Sequence, residues 1–235
     1  MGQKRRPVHV RQRELDLQSQ IYPPNSESEC DSLMPRALGQ IDARKSEAII
    51  TAAFAVLAER GLSAPLEEVA RRANVSKQTV YNHYGSKGQL LQALVERRRD
   101  EITAALRDPA ALDDPKATLT SYAAVMIRSI LTEPYGEIMR IAIAGSLDAP
   151  ELADIIYETA FMGARQTLAN YVAALDAKGA LRVPDPLVAA EMFAGIAVGG
   201  LQLRMLIGRA IEDDLATETA RAQMCADAFI RAFAP

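Results

Sequence analysis

Residue types that build covalent cross-links or catalytic centres are scarce in this sequence of 235 residues. It has no tryptophan, two histidines and two cysteines, and aromatic residues make up only 5% of it. Cys30 and Cys225 lie far apart, with no second cysteine or histidine at metal-ligand spacing, which argues against a zinc site and a disulfide framework and fits a reducing cytoplasm. We expect Cys225 to be a small apolar core residue.

Motifs of common enzymes are also lacking. The sequence contains no GxSxG, no HExxH and no Gly-rich phosphate loop, and its two histidines are His9 and His83. We therefore expect no catalytic residues, no metal and no cofactor, and an enzyme is the weaker alternative.

A targeting or membrane segment is not indicated either. The basic residues within Met1–Arg13 are not followed by an apolar stretch, unlike those of a secretory signal. The most apolar segment, Leu187–Gly208, carries Glu191, Gln202 and Arg204, which are unfavourable in lipid. A buried helix in a soluble, cytoplasmic protein is favoured.

Acidic residues are missing from one segment of an otherwise acidic chain. Net charge is +1 over residues 1–40, +2 over 41–108 and −6 over 109–235, which sums to −3. Residues 69–95 contain Arg71, Arg72, Lys77 and Lys87 and no aspartate or glutamate. This bias predicts a surface that faces phosphates.

Residues 1–40 have the composition of a tail. They combine a basic start with Pro23-Pro24 and the polar stretch SESECDS, which offers little to bury, so we expect disorder. Two alternatives remain: the basic residues reach an adjacent DNA groove as an arm, or Met34 is the true start of the protein.

The remainder shows helical periodicity and predicts an all-α fold. A Gly61 stop, a left-handed Asn74 turn and a Gly85 stop separate short helices, with Ser76 and Ser86 as N-caps. The predicted helices run over about 43–59, 65–73, 77–84, 87–106, 115–132, 135–144, 149–178, 186–208 and 215–233.

Other capping signals support the later boundaries. Asp148 with Glu151 predicts a capping box, Gly179 a helix stop, and Asp185 followed by Pro186 a helix start.

The third predicted helix divides by direction. Val80 and Tyr84 are four residues apart and face inward, whereas Lys77 with Tyr81 and Gln78 with Asn82 form two outward pairs. A helix of this kind fits the major groove of DNA with its N-terminal residues nearest the bases.

Base and phosphate contacts are assigned from these positions. Gln78 can pair with adenine and Lys77 with guanine, and Asn82 shares their outward face. Phosphate contacts are predicted for Thr79, Tyr81, His83 and Lys87. Each residue alone also fits ordinary packing or solvation; their coincidence within about a dozen residues favours DNA binding.

The stretch RKSEAIITAAFAVLAERGLSAPLEEVARRANVSKQTVYNHYGSKGQLLQALV, residues 44–95, resembles the DNA-binding domain of the TetR/AcrR family, most diagnostically in VSKQTVYNHYGSKGQLL. The resemblance implies a three-helix DNA-binding domain over 41–95 and a helical effector-binding and dimerisation domain over 96–235. In that family the residues matching Thr79, Tyr81, His83 and Lys87 are commonly near phosphates. Asn74 and Gln78 depart from the family, which usually has glycine at the turn and often on the recognition helix.

The C-terminal half is expected to dimerise and to hold a small, largely apolar effector. Leu187–Ile207 is apolar nearly all around, and Gly195, Gly199 and Gly200 would let another helix approach closely. We expect the last two helices to form a four-helix interface with their copies in the second subunit; the alternative is a core helix of a monomer. The effector residues are expected among Tyr122, Met126, Arg128, Tyr157, Phe161, Met162, Arg165 and Gln166.

Together these features predict a homodimeric, ligand-released repressor of a pseudo-palindromic operator, with recognition helices about 34–36 Å apart. The fourth helix would connect the two halves. A DNA-binding protein with no effector is the second alternative.

Overall fold

The computed structural model describes residues 38–131, 135–209 and 215–235, and the regular structure in these ranges is helical, with no strand. The predicted all-α class is confirmed. The chain divides into two units, residues 1–41 and Asp42–Pro235, and the second is described below. Residues 1–37, with most of the predicted tail, Cys30 and His9, lie outside the described residues.

The N-terminal helices are α1 (Leu38–Arg60), α2 (Leu66–Arg72), α3 (Lys77–Tyr84) and α4 (Lys87–Ile102). α3 has its predicted bounds, whereas α1 begins before residue 43. α4 stops short of Leu106: the buried Thr103 is its C-cap residue, with its hydroxyl donating to the Arg99 carbonyl at 2.8 Å, and a 3₁₀ turn follows.

The later helices are α5 (Pro115–Leu131), α6 (Tyr135–Gly145), α7 (Pro150–Ile156), α8 (Gly163–Ala177), α9 (Pro186–Leu206) and α10 (Leu215–Ala232). The single helix predicted over 149–178 is wrong in one respect. α7 and α8 are joined by a π-helical turn, Tyr157–Met162.

Most of the capping predictions are confirmed. Asn74 has a positive φ of 52°, and Gly61, Gly85 and Gly179 at helix ends also have positive φ values, of 73°, 69° and 71°. Asp185 accepts hydrogen bonds from the first two free N–H groups of α9, both at 3.1 Å. The capping box at Asp148 is wrong: Pro150 opens α7, Ala149 is its N-cap, and no side chain caps the helix.

Two hydrophobic cores hold these helices together. The first collects buried residues of α1 to α4, such as Ile49, Val80 and Leu91, and also takes in Ile156 at the end of α7. The second is formed by α5, α8, α9 and α10 around Phe193 and Phe229, whose ring centroids are 5.2 Å apart. Cys225 lies in this second core, where burial raises its pKa.

α9 is long and apolar enough, by length and composition alone, to cross a membrane, with a mean hydropathy of 1.5. Only 33% of its most apolar window is buried inside the protein. The expectation of a buried helix is therefore half right: one side contributes Phe193 and Ala197 to the core, and the opposite side is exposed. Gly199 interrupts the helix with φ 35° and ψ −125°, and Arg221 Nε donates to the Ala197 carbonyl at 2.8 Å beside this break.

Candidate nucleic-acid interface and effector cavity

α2 and α3 form a helix-turn-helix whose turn is fixed by local hydrogen bonds. Asn74 takes the left-handed conformation after α2, and the Val75 N–H donates to the Ala70 carbonyl at 3.0 Å. Ser76 then caps α3, because its Oγ accepts from the Thr79 N–H at 3.0 Å. These contacts set the direction in which α3 leaves the turn.

The inward side of α3 attaches it to α1. Val80 is fully buried, and the hydroxyl groups of Tyr84 and Ser46 are hydrogen-bonded at 2.8 Å. The predicted inward orientation of Val80 and Tyr84 is confirmed by these contacts. α3 is therefore held by one apolar and one polar anchor, four residues apart.

The outward side carries the two predicted pairs. Gln78 Nε2 donates to Asn82 Oδ1 at 2.7 Å, and the Lys77 ammonium lies 5.5 Å from the centre of the Tyr81 ring. Tyr81 is 38% exposed, and the other three side chains are exposed as well. Four adjacent groups capable of contacting nucleic acid thus share one solvent-facing side of α3.

The basic groups of residues 69–95 meet acids that lie just outside that window. Arg71 pairs with Glu68 at 2.6 Å and Arg72 with Glu59 at 2.7 Å. The absence of acids in the sequence window therefore overstates the positive charge of this surface.

Lys77 has a similar partner at the start of α2. It forms an ion pair with Glu67. The hydrogen bond that Lys77 donates to Glu67 lowers the pKa of the Glu67 carboxyl and raises the pKa of the Lys77 ammonium. Both side chains are more than half exposed, so the pair is weak and Lys77 can exchange the carboxylate for an acceptor of the DNA.

The remaining predicted phosphate contacts differ in accessibility. Thr79 is half-buried, with its hydroxyl 2.8 Å from that of Ser76, and His83 is half-buried beside the Tyr84 ring. The Lys87 ammonium donates to the Leu62 carbonyl, and partial burial lowers its pKa. Lys87 consequently points toward the protein in this structure.

A cleft in the C-terminal half brings together four of the eight residues predicted to bind an effector. Tyr122, Met126, Phe161 and Arg165 line about 670 Å³ of atom-free space, part of which is open to solvent. Its walls come from α4, α5, α8, α9 and the π-helical turn.

The other four predicted effector residues do not line this cleft. Arg128 donates to Glu218 at 2.6 Å, joining α5 to α10. Tyr157 is exposed and stacks on Phe161, and Gln166 is exposed and donates to Asn170 at 2.9 Å. Met162 is half-buried in the π-helical turn.

Sequence reasoning missed the lining residues contributed by α4 and α9. The missed residues include Arg98, Arg99 and Ile102 on α4 and Ala194, Val198 and Gln202 on α9. Three consecutive arginines in the second half of an amphipathic helix were a signal for the first group; no signal marks the second.

Comparison with known proteins gives two matching family models. Residues 49–94 match the model described as bacterial regulatory proteins, tetR family. Residues 117–235 match the model described as AefR-like transcriptional repressor, C-terminal domain. The matched ranges cover the helix-turn-helix and most of the C-terminal half.

Curated relatives and solved structures agree with these matches. The HTH-type transcriptional repressor Rv3405c of Mycobacterium tuberculosis is 30% identical over 95 residues, 40% of this chain and 50% of the relative, so the chain spans about half the length of that protein. A TetR-family regulator from Mesorhizobium loti has a TM-score of 0.68 at 24% identity, covering 83% of this chain and 98% of its own.

Two further solved structures share the fold. A TetR transcriptional regulator from Agrobacterium tumefaciens has a TM-score of 0.66 at 26% identity, covering 81% of this chain and 94% of its own. The flavonoid-responsive regulator FrrA has a TM-score of 0.65 at 24% identity, covering 82% and 98%.

Proposed function

Since the chain belongs to the TetR family of bacterial transcriptional regulators, we propose that it is a homodimeric repressor that binds a pseudo-palindromic operator through α3 and is released by a small-molecule effector. The family is one of non-enzymatic DNA-binding proteins, so no catalytic residue is assigned. We place the protein in the cytoplasm, where operator DNA lies, with no cofactor and no membrane partner.

The observation that carries the DNA-binding proposal is the outward side of α3. Gln78 and Lys77 occupy its first turn, which is the part of a recognition helix nearest the base edges in the major groove. The Gln78 amide can donate and accept together with adenine, and Lys77 can donate to the acceptors of guanine. Asn82 holds the Gln78 side chain by a hydrogen bond before DNA binds.

Phosphate contacts would surround these base contacts. Thr79, Tyr81 and His83 lie on α3 near the base-contacting residues Lys77 and Gln78. Lys87 begins α4, whose free N–H groups attract an anion. Lys87 would have to leave the Leu62 carbonyl to reach a phosphate. Its contribution is therefore expected to be smaller than that of a solvated lysine.

The exposed side of α9 supports a dimer. Large apolar side chains that are 42–62% exposed recur at helical spacing on both sides of the Gly199 break: Val188, Met192 and Ile196 before it, and Leu203 and the C-cap residue Ile207 after it. Exposed apolar rows of this kind are unfavourable in water and typical of a protein interface. Ideal Cβ atoms at Gly195 and Gly200 would meet nothing within 4 Å, which leaves room for a helix of a second subunit.

We further propose that α4 couples the effector cleft to the DNA. It begins at Lys87 beside the helix-turn-helix and carries Arg98, Arg99 and Ile102 in the cleft wall. A ligand that favours one position of this helix would change the separation of the two recognition helices in a dimer. The flavonoid-responsive regulator FrrA has the same fold, which supports an effector response.

The test is selection of bound duplexes from random DNA, followed by affinity measurements at two salt concentrations. We expect a two-fold-related motif, and Gln78→Ala should cost about 1–3 kcal/mol of discrimination at one base position per half-site. Gln92→Ala is the matched control, because Gln92 is an exposed glutamine that lies on α4 and not on α3, where the proposed base contacts are. Recovery of no motif, or an unchanged motif with Gln78→Ala, would contradict the proposal.

A further inference from the structure

The effector cleft has an unusual charge for an apolar pocket. Arg98, Arg99 and Arg165 line it, and among the described residues no aspartate or glutamate does. Most of the rest of its wall is apolar, with Ile102 from α4 and Met126 from α5 among its larger side chains. A cleft that combines three cations with an apolar wall favours a ligand with a negative group at one end and a hydrocarbon body.

Two of the arginines already have acidic partners outside the wall. Arg98 donates to Glu101 at 2.8 Å, and Arg99 donates to Asp100 at 2.9 Å. Arg98 also donates to Ser129 Oγ, itself part of the wall, at 3.1 Å. Their charge in the cleft is reduced by these acids, but neither acid blocks the cleft itself.

Arg165 is different. Its Nε is buried and has no hydrogen-bond partner in the described part of the chain, and its guanidinium carbon lies 5.9 Å from the centre of the Phe161 ring. No carboxylate of the described residues forms a salt bridge with it, unlike the other two arginines. A buried donor left unpaired lowers stability, and a carboxylate held by the Arg165 guanidinium would offset that cost.

We propose that the cleft binds an amphipathic carboxylate, with the carboxylate on Arg165 and the hydrocarbon body between α4, α5 and α9. The guanidinium offers a planar fork of donors that matches a carboxylate in geometry. The cleft would exclude cationic ligands, because moving a cation next to three arginines is unfavourable. Binding of the carboxylate does not depend on the proposed repressor function; only its effect on DNA binding rests on that proposal.

That consequence follows from the position of α4. A carboxylate shared between Arg165 on α8 and Arg98 or Arg99 on α4 would join these helices at the end of α4 opposite the helix-turn-helix. Gly163 allows this close approach: a Cβ there would lie 2.9 Å from Arg99 Cδ. The anion would therefore act directly on the helix proposed to connect the cleft with DNA.

The experiment is calorimetric titration of the full chain, without DNA, with the straight-chain acids from butanoate to dodecanoate and with phenylbutyrate and naphthoate. Each acid is compared with its primary amide, and each chain length also with the amine. We expect at least one acid to bind about tenfold or more tightly than its amide, since hydrogen bonds to charged groups are the strong ones. Amines should not bind.

Arg165→Gln should abolish the preference for acid over amide, and Arg165→Lys should retain part of it. Arg182→Gln, an exposed arginine outside the cleft, is the control and should change nothing. Circular dichroism checks that each variant folds. If Arg165→Gln does not fold, Arg98→Gln replaces it, and this variant should weaken the preference for acid over amide without abolishing it. An amide that binds as tightly as its acid throughout the series, or a preference that survives Arg165→Gln, would overturn the inference.

Operator binding is then measured with the tightest acid and with neutral compounds. If an acid binds with the expected preference but leaves operator affinity unchanged, the repressor-release proposal fails and the anion site stands. If a neutral compound releases the operator while no acid is preferred over its amide, the anion site fails and the proposed function stands.

Discussion

Three exposed basic side chains of the helix-turn-helix each form an ion pair with a nearby glutamate. Lys77, Arg71 and Arg72 are paired with Glu67, Glu68 and Glu59. Exposed pairs of this kind contribute little to the stability of the fold. Their larger effect is on binding, because an acceptor group of the DNA must displace the carboxylate before it can bind the cation.

Glu67→Gln is expected to tighten DNA binding. The variant leaves Lys77 without its acidic partner and removes a negative charge beside the proposed phosphate contacts. At low salt the affinity should rise about two- to fivefold, and the slope of log affinity against log salt should steepen by up to about one. Fluorescence anisotropy over a salt series measures both quantities.

Asp227→Asn is the matched control for that variant. Asp227 is also ion-paired, with Lys116 at 2.6 Å, but it lies on α10, away from the helix-turn-helix. It changes the net charge by the same amount and should leave the salt slope unaltered. Equal effects of the two variants would mean that only overall charge matters and that Lys77 does not reach the DNA.

Single residues in the turn could be assigned from the sequence because their reasons are local. Asn74 accepts a left-handed conformation better than most residues, and Ser76 offers an oxygen at N-cap distance from a free N–H. Lys87 could not be assigned in the same way, because the Leu62 carbonyl that binds it is 25 residues away along the chain.

α9 has asymmetric surroundings. One side packs in the second core and the other exposes a row of apolar side chains with open space at Gly195 and Gly200. Gly199 differs from these two, since its positive φ requires glycine whether or not a second subunit is present.

Gly195→Ala separates a monomer from a dimer by the sign of its effect. In an isolated subunit the new methyl group meets nothing, so the helix should gain about 0.8–1.0 kcal/mol. Against a closely packed second α9 the methyl group would overpack the interface, costing about 1–3 kcal/mol, or roughly fivefold to 150-fold in dimer affinity. Sedimentation over a dilution series measures the dimer affinity, and chemical denaturation the stability.

Ser121→Ala, an exposed position on α5, serves as the control for helix propensity and should not alter self-association. A Gly195→Ala protein that is stabilised and associates as the parent does would show that α9 does not contact its copy at this position.

The π-helical turn is an element that periodicity could not predict. Apolar spacing favours one continuous helix over 149–178, whereas the chain inserts a wider turn at Tyr157–Met162. That turn places Ala160 and Phe161 in the effector cleft and lies against α4.

At the scale of the whole molecule, α4 belongs to both halves. Its first part contributes Leu90, Leu91 and Leu94 to the core of the helix-turn-helix, and its last turns form one wall of the cleft. Ile156 at the end of α7 also lies in the first core, so the C-terminal half packs against α4 as well. A displacement at the cleft would therefore reach the DNA-binding helices through packed side chains.

The dimer proposal predicts how affinity depends on operator geometry. Two recognition helices about one turn of DNA apart, 34–36 Å, require both half-sites on the same face of the duplex. Inserting about five base pairs between the half-sites turns one to the opposite face and should reduce affinity at least about tenfold. Gel-shift titration of the selected operator, of the insertion and of a single half-site compares the three directly.

Equal affinity for a single half-site and for the full operator would contradict the dimer even if α3 reads bases as proposed.

The sequence by itself determined the helices, most of their ends and the two faces of α3, because periodicity, capping and turn chemistry act over a few neighbouring residues. Tertiary structure alone decided which cations are paired, where the chain forms a π-helical turn, and which residues from four helices and that turn meet at one cleft. Those features depend on contacts between residues distant along the chain, such as Arg165 on α8 and Arg98 on α4, and no local pattern specifies which distant residues will meet.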